Sequence, residues 1–541
     1  MSAITAERTV ARRLGRFTGT RNLLRFAVRR DRLRAPLWFV GVVGVFTATA
    51  GSVVALYKTP DQLASYATLA VDNPAVQALT GPGYGLDDPT QGSVVLNEMG
   101  MFTFIAIALL ALVTVIRHTR AEEETDRAEL VRAAPVGRHA SLAAASLWTA
   151  ALTTVVSLGL TVSMLTSGLD PAGSWAFGLA CAGVGFVFIG VANVAAQIAS
   201  EARAAIAASG AVLAVMFVVR ALGDVSGNWL VWLSPLGWAQ GIRAYADERW
   251  WVLVPLLVTG GALTIVALVL SRRRDLGAGI LQQRPGPAEA SPRLRSPLML
   301  ALRLQRTSII GWAAGLGIVW VFMGVVAKQA DTLLENQAVA DVIGGSGAAS
   351  PSDSFLATIV LMAGLVAAGF TISAVLRLRS EEVAGRAEPT LANAVSRRTW
   401  ALSHLAVSSA GTVLVLVSAG LTAGIGYAIG VGDAAEVLPL VGAVLAMSVA
   451  VLVLGAFAFA LFGLAPRWAS LAWVGVALGG VVALLGATLD LPQWIRNFSP
   501  FEHVPALPAE PFNAVPLLVL AAVAGVLVWI GVRGFGRRDI N

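Results

Sequence analysis

The chain is poor in the residues that carry aqueous chemistry. It has one cysteine and four histidines in 541 residues, its only lysines are Lys58 and Lys328, and 13% of it is charged. A single thiol, Cys181 inside an apolar run, builds neither a disulfide framework nor a metal cluster. It reads as a small packing residue. His118, His139, His404 and His503 are scattered and give no ligand spacing. A phosphate-binding loop, G-x-x-x-x-G-K-[ST], needs lysine after glycine, and neither lysine qualifies. The chain itself does not hydrolyse ATP by that route. No Ser/His/Asp or paired-carboxylate arrangement stands out, so an enzyme acting on lipid has no catalytic constellation behind it. Within the apolar runs only Arg220 is clearly ionisable, near an outer end. A charge at mid-bilayer costs about 2.5–3.5 kcal/mol on insertion scales, and such residues mark ion and proton pathways. Their scarcity argues against proton-coupled transport.

Apolar sequence is what the chain has in quantity: 56% of it is hydrophobic. Many runs approach the roughly 20 residues that cross a bilayer. The expected fold is an all-α polytopic membrane protein of about twelve spans. Six lie near 36–57, 99–117, 140–166, 173–199, 204–222 and 251–271; six more near 308–327, 354–376, 400–429, 435–464, 468–488 and 513–535. The net charge of +7 is explained by its distribution rather than by nucleic-acid binding. Residues 1–35 hold ten arginines and two acids, and 272–306 hold eight arginines and two acids, whereas 58–98 and 328–353 are acidic. By the positive-inside rule both termini and the 272–306 linker are cytoplasmic. The basic start is too long for a cleavable signal peptide, and the first apolar run is a full span.

One charged loop occurs twice. Residues 120–138 read RAEEETDRAELVRAAPVGR and 379–397 read RSEEVAGRAEPTLANAVSR. Without a gap, Arg120, Glu122, Glu123, Arg127, Glu129 and Arg138 fall on Arg379, Glu381, Glu382, Arg386, Glu388 and Arg397. The chain reads as an internal duplication, and the duplicated feature is polar. Two readings stand: a solvated helix joining two spans, or a docking element for a cytoplasmic partner with two-fold symmetry. Glu123 with Arg127, and Glu382 with Arg386, have the favourable four-residue order of a helical ion pair. Pro135 ends the first copy and Pro389 interrupts the second.

The repeat reaches further. NWLVWLSPLG (228–237) answers QWIRNFSPFE (493–502), and Arg203 answers Arg467 in tight turns between spans. Six spans per half make the repeats parallel, with a cavity on their shared axis as the natural substrate path. The halves divide at 1–280 and 281–541, the second opening with the Pro/Gly-rich linker 281–297. Residues 20–34 place Arg21, Arg25, Arg29 and Arg32 at helical spacing beside Leu24, Ala27 and Val28. They read as a basic amphipathic helix at the inner interface or as simple topology charge, with 297–306 as a counterpart. The aromatic segments 228–250 and 491–512 are belt anchors or short re-entrant pairs buried in protein. In the latter reading Trp229, Trp232, Pro235, Trp494, Phe498 and Pro500 form an outer gate.

These features together resemble the membrane subunit of ABC exporters of the ABC-2 type (type V exporter-like), nearest to the actinobacterial permeases for polyketide antibiotics and other drugs. The resemblance covers nearly the whole chain and is most specific at the two R-x-E-E loops and the two S-P-[LF] segments. It implies two fused half-transporters, an interfacial helix at 20–34, and coupling helices at 118–139 and 377–399. Outer re-entrant pairs would lie at 228–250 and 491–512. It implies a separate ABC ATPase in two copies, holding ATP and Mg, so that this chain binds no cofactor and no metal and is a transport subunit rather than an enzyme. The cargo would be a hydrophobic or amphipathic small molecule, an antibiotic or drug. Spans two, five, eight and eleven would line the cavity with Met101, Phe102, Phe104, Met216, Phe217, Phe355, Met362 and Phe370. The location implied is the bacterial cytoplasmic membrane. A secondary carrier of the major facilitator class shares the six-plus-six arrangement. Against it stands the lack of that class's G-x-x-x-D-R-x-G-R loop between spans two and three.

Overall fold

The computed structural model describes residues 15–71, 74–124, 135–274, 279–281, 294–327, 351–431, 437–485 and 491–539, with isolated residues between. Every regular element among them is helical. Twelve helices are long and apolar enough to cross a membrane. Such a chain has little choice, because a backbone in hydrocarbon must satisfy its own N–H and C=O groups. The protein is an all-α polytopic membrane protein.

The chain divides into two compact units, Met1–Gly286 and Pro287–Asn541. Each has its own apolar core. In the first unit the spans are Arg34–Leu56, Gln91–Glu124, Ala140–Thr166, Pro171–Ile198, Ala202–Ser226 and Trp250–Leu270. Spans two and four are its most enclosed helices. Phe46, Phe104 and Phe177 meet in this core, with ring centroids 5.6 and 5.3 Å apart. In the second unit the spans are Pro297–Val325, Phe355–Val383, Arg397–Ile429, Val437–Leu464, Pro466–Ala483 and Ala514–Arg537. Spans eight, nine and ten carry its core around Phe370, Phe459 and Phe462.

Local chemistry sets several helix starts. Thr90 and Ser93 form a capping box at the head of span two. Asp170 accepts from the Gly173 amide just before Pro171 opens span four. Small residues then permit close helix packing. In the first unit a Cβ on Gly190 would lie 2.6 Å from the Leu263 Cβ, so spans four and six touch backbone-close. In the second, a Cβ on Gly463 would lie 2.2 Å from the Gly531 carbonyl oxygen, so spans ten and twelve do the same.

Two sequence expectations are altered and one stretch gains structure that the sequence reading did not assign. Span two starts at Gln91 rather than near 99, because its capping box lies that far out; Glu98 therefore sits inside the helix. The acidic stretch before it folds into helices Pro60–Val71 and Pro74–Thr80. The stretch 297–306 is not a separate counterpart of 20–34. It is continuous with span seven in one helix, Pro297–Ala327, since nothing breaks the helix after Pro297. The amphipathic segment at 20–34 does form its own helix, Thr20–Arg30, closed at Asp31 before span one begins.

Candidate functional site

Span two ends, after a break at Thr119, in a short helix, Arg120–Glu124, where the duplicated loop begins; Glu122 and Glu123 are half-buried. Arg120 is buried; its Nη1 donates to Glu123 Oε2 at 2.7 Å and its Nε to the Ser200 carbonyl at 2.8 Å. Glu122 pairs with Arg30 of helix Thr20–Arg30. The Ala202 amide donates to the Glu124 carboxylate. Glu123 takes both arms of Arg274, Nη1 to Oε2 at 2.7 Å and Nη2 to Oε1 at 2.6 Å, while Arg274 Nε donates to Gln197 Oε1 at 2.7 Å. Arg138, ahead of span three, donates to the carbonyls of Ser271 at 3.0 Å and Arg274 at 3.1 Å. Arg127 and Glu129 lie outside the described residues.

The second loop repeats part of this arrangement. Arg538 donates through Nη1 to Glu382 Oε1 at 2.5 Å and through Nη2 to Oε2 at 2.7 Å. Arg397, opening span nine, donates to the Arg538 carbonyl at 2.7 Å. The Arg538 guanidinium also sits 5.0 Å from the ring centres of Phe462 and Phe535. Glu381 takes Arg386, Nε to Oε2 at 2.9 Å, with Arg377 at 3.6 Å. The expected Glu382–Arg386 pair is therefore corrected: the chain turns at Ala384–Gly385, which aims Arg386 back at Glu381 and leaves Glu382 for Arg538. Pro389 does not interrupt a helix; it lies in the first turn of Glu388–Leu391. Glu388 is exposed and Arg379 half-buried.

A second charged cluster lies at the same end of the first unit. Asp31, buried at the end of helix Thr20–Arg30, lies 2.5 Å from His118 Nε2 and 3.2 Å from Arg117 Nε. It also accepts from Trp148 Nε1 at 2.9 Å. Burial pushes its pKa up, but the hydrogen bonds from His118 and Trp148 and the charges of His118 and Arg34 outweigh burial, and the net shift is downward. Its only sequence signal is an isolated acid in an arginine-rich stretch.

At the other end of the first unit, Trp229–Leu233 and Pro235–Gln240 form two short turns between spans five and six. Ser234 caps the second, and Pro235 is buried at its start. Trp232 stacks on Trp251 at 5.5 Å, and Trp238 Nε1 donates to the Trp232 carbonyl at 2.6 Å. Arg220 is fully buried: it pairs with Asp224 at 3.1 Å and caps helix Pro74–Thr80 through the Ala78 and Leu79 carbonyls at 2.7 and 3.3 Å. Its role there is structural. In the second unit Gln493–Arg496 and Pro500–His503 occupy the corresponding place, tied by Arg496 to Glu502. Pro500 is buried, whereas Trp229, Trp232, Trp494 and Phe498 are exposed.

The eight candidate cavity residues separate by exposure. Met101, Phe104 and Phe370 are buried in the cores of their own units. Met101 and Phe104 also border a cavity of about 50 Å³ shared with Tyr84, Asn97, Gln240 and Arg243. Met216, Phe217 and Phe355 are half-buried, and Phe102 and Met362 are exposed.

Residues 21–272 and 294–536 match the family described as multidrug efflux system permease Rv1217c, C-terminal domain. The chain is 43% identical over 533 residues to the multidrug efflux system permease protein Rv1217c of Mycobacterium tuberculosis (strain ATCC 25618 / H37Rv), a match covering 97% of this chain and 96% of that relative. A family match across most of both units, with a relative aligned nearly end to end, establishes that the chain belongs to the Rv1217c permease family.

Proposed function

We propose that this chain is the permease subunit of an ATP-driven efflux pump of the ABC-2 type, exporting hydrophobic or amphipathic small molecules, antibiotics among them. Two copies of a separate ATPase dock on the loops at 118–139 and 377–399 and carry the ATP and Mg. The observation that carries this reading is the charged loop occurring twice in register, together with the named activity of its relative. If export is driven by ATP, a chain with no phosphate-binding loop of its own takes that drive from a separate subunit. Parallel duplication of the two halves supplies equivalent places for a two-fold motor. The chain spans the bacterial cytoplasmic membrane with both termini inside, as the arginine distribution supports. Among the candidate cargo contacts, exposed Phe102 and Met362 are available to a ligand, whereas Met101, Phe104 and Phe370 are used in packing. The outer segments act as a lid on the path, with Trp229, Trp232, Trp494 and Phe498 as its exposed aromatics and the buried Pro235 and Pro500 as its fixed points.

Purification from native membranes in mild detergent, with stoichiometry by mass, tests the proposal. Two ATPase copies per chain are expected. A chain that comes out alone and exports on a proton gradient without ATP would overturn the reading in favour of a secondary carrier.

A further inference from the structure

The charges in the two loops are used asymmetrically, and one use is common to both. In each unit the second glutamate of the loop, Glu123 or Glu382, is held by both arms of an arginine just past the last span, Arg274 or Arg538. In each, the arginine that opens the next span's approach, Arg138 or Arg397, donates to the backbone carbonyl of that same residue. Loop glutamate, span-opening arginine and span-closing arginine thus form one three-part clamp, built twice. Other contacts are not shared. Arg120 and Gln197 add contacts to the first unit's clamp, and the Phe462 and Phe535 rings add contacts to the second.

From this geometry we infer that Glu123 and Glu382 are positioning residues, which deliver motion of the loop to the last span of their half, and are not themselves the ATPase contact. The inference rests on the proposed function for the source of that motion. Glu123 and Glu382 lie in the last turn of spans two and eight, where the duplicated loop begins, and that loop is joined covalently only to the spans on either side of it. Without a clamp, a push on the loop reaches the last span only through intervening packing. A bidentate carboxylate–guanidinium pair resists both sliding and rotation, because two parallel hydrogen bonds fix the planes of both groups. The Arg138 and Arg397 bonds fix the backbone of the same residue, so the end of the last span cannot turn independently of the start of span three or nine. The two glutamates and the two span-closing arginines are largely shielded from solvent, whereas Arg138 is exposed and Arg397 half-buried. A glutamate with both oxygens so occupied has little left to offer a partner protein. The last span is also the helix that meets span four or ten backbone-close at Gly190 or Gly463, so its movement passes directly into the core of the unit.

The test uses the full chain with its ATPase in liposomes, reading ATP hydrolysis and export of ethidium separately. Arg538→Glu is expected to insert and to keep the ATPase bound, to hydrolyse ATP within about twofold of wild type, and to export at least tenfold more slowly. The swap Glu382→Arg with Arg538→Glu is expected to restore export to within about threefold. Arg538→Lys keeps the charge without the fork and is expected to fall between; it also serves if the charge reversal does not fold. Loss of the ATPase from Arg538→Glu or Glu382→Gln would make Glu382 a docking residue and overturn the clamp. Export by Arg538→Glu at the wild-type rate, or failure of the swap to rescue, would overturn it equally. If wild type exports on a proton gradient without ATP, the proposed motor is wrong. The clamp is then judged on that export by the same loss and rescue.

Discussion

Asp31 illustrates how a single buried carboxylate holds a junction together. It joins helix Thr20–Arg30 to spans two and three through His118, Arg117 and Trp148. Removing one partner of a buried ion pair strands the others, which typically costs about 3–5 kcal/mol. Asp31→Ala is accordingly expected to lower the detergent melting temperature by several degrees. The pH dependence follows from the downward shift of its pKa from the ordinary 3.8. A carboxyl with a depressed folded value contributes stability that is fully present above the unfolded value and is lost as pH falls through the folded one. The melting-temperature gap between wild type and Asp31→Asn should therefore stay level from neutral pH down to mildly acidic conditions and close only in strong acid. A gap that closed near neutrality would count against Asp31 as the controlling group. At Ser234, whose side chain caps helix Pro235–Gln240 by accepting from the Leu236 amide at 3.2 Å, alanine should cost about 1 kcal/mol. Thermal unfolding of the purified chain measures it.

Among elements, close approach of helices is where sequence detail matters most. Gly463 faces the Gly531 carbonyl with no room for a Cβ, while Gly442 faces nothing within 4 Å. Gly463→Leu must force spans ten and twelve apart, and overpacking of this kind typically costs about 1–3 kcal/mol. Gly442→Ala is expected to change stability by less than about 0.5 kcal/mol. A melting series across the pair checks the contrast. Helices Pro60–Val71 and Pro74–Thr80 went unread in the sequence because each is short and only weakly patterned; Pro74–Thr80 is held by contacts that are distant along the chain. Arg220 capping the Ala78 and Leu79 carbonyls is one, and Gln240 donating to the Thr80 carbonyl at 2.6 Å is another. The continuous helix through 297–306 went unread for the opposite reason: its arginines mark it as interfacial, but a charged helix end can simply continue into the membrane.

For the molecule as a whole, each unit encloses its own apolar core. Each half, expressed alone as 1–286 or 287–541, is therefore expected to insert and to run as a monodisperse species on size exclusion in detergent; aggregation of both would show that neither core suffices. Hydrophobic run length alone determined the twelve spans, since a bilayer demands about 20 apolar residues from any helix that crosses it. The sequence also exposed the duplicated charges, because in-register repetition is visible without coordinates. Their partners were not visible. Glu123 and Arg274 stand 151 residues apart, and Glu382 and Arg538 stand 156 apart. Nothing in the local pattern RRR at 272–274 or RRD at 537–539 distinguishes a clamp arginine from one that sets topology. A charge's sign and spacing along a helix are local properties, legible in sequence. Which opposite charge it meets depends on where the helix ends converge, and only the tertiary structure decides that.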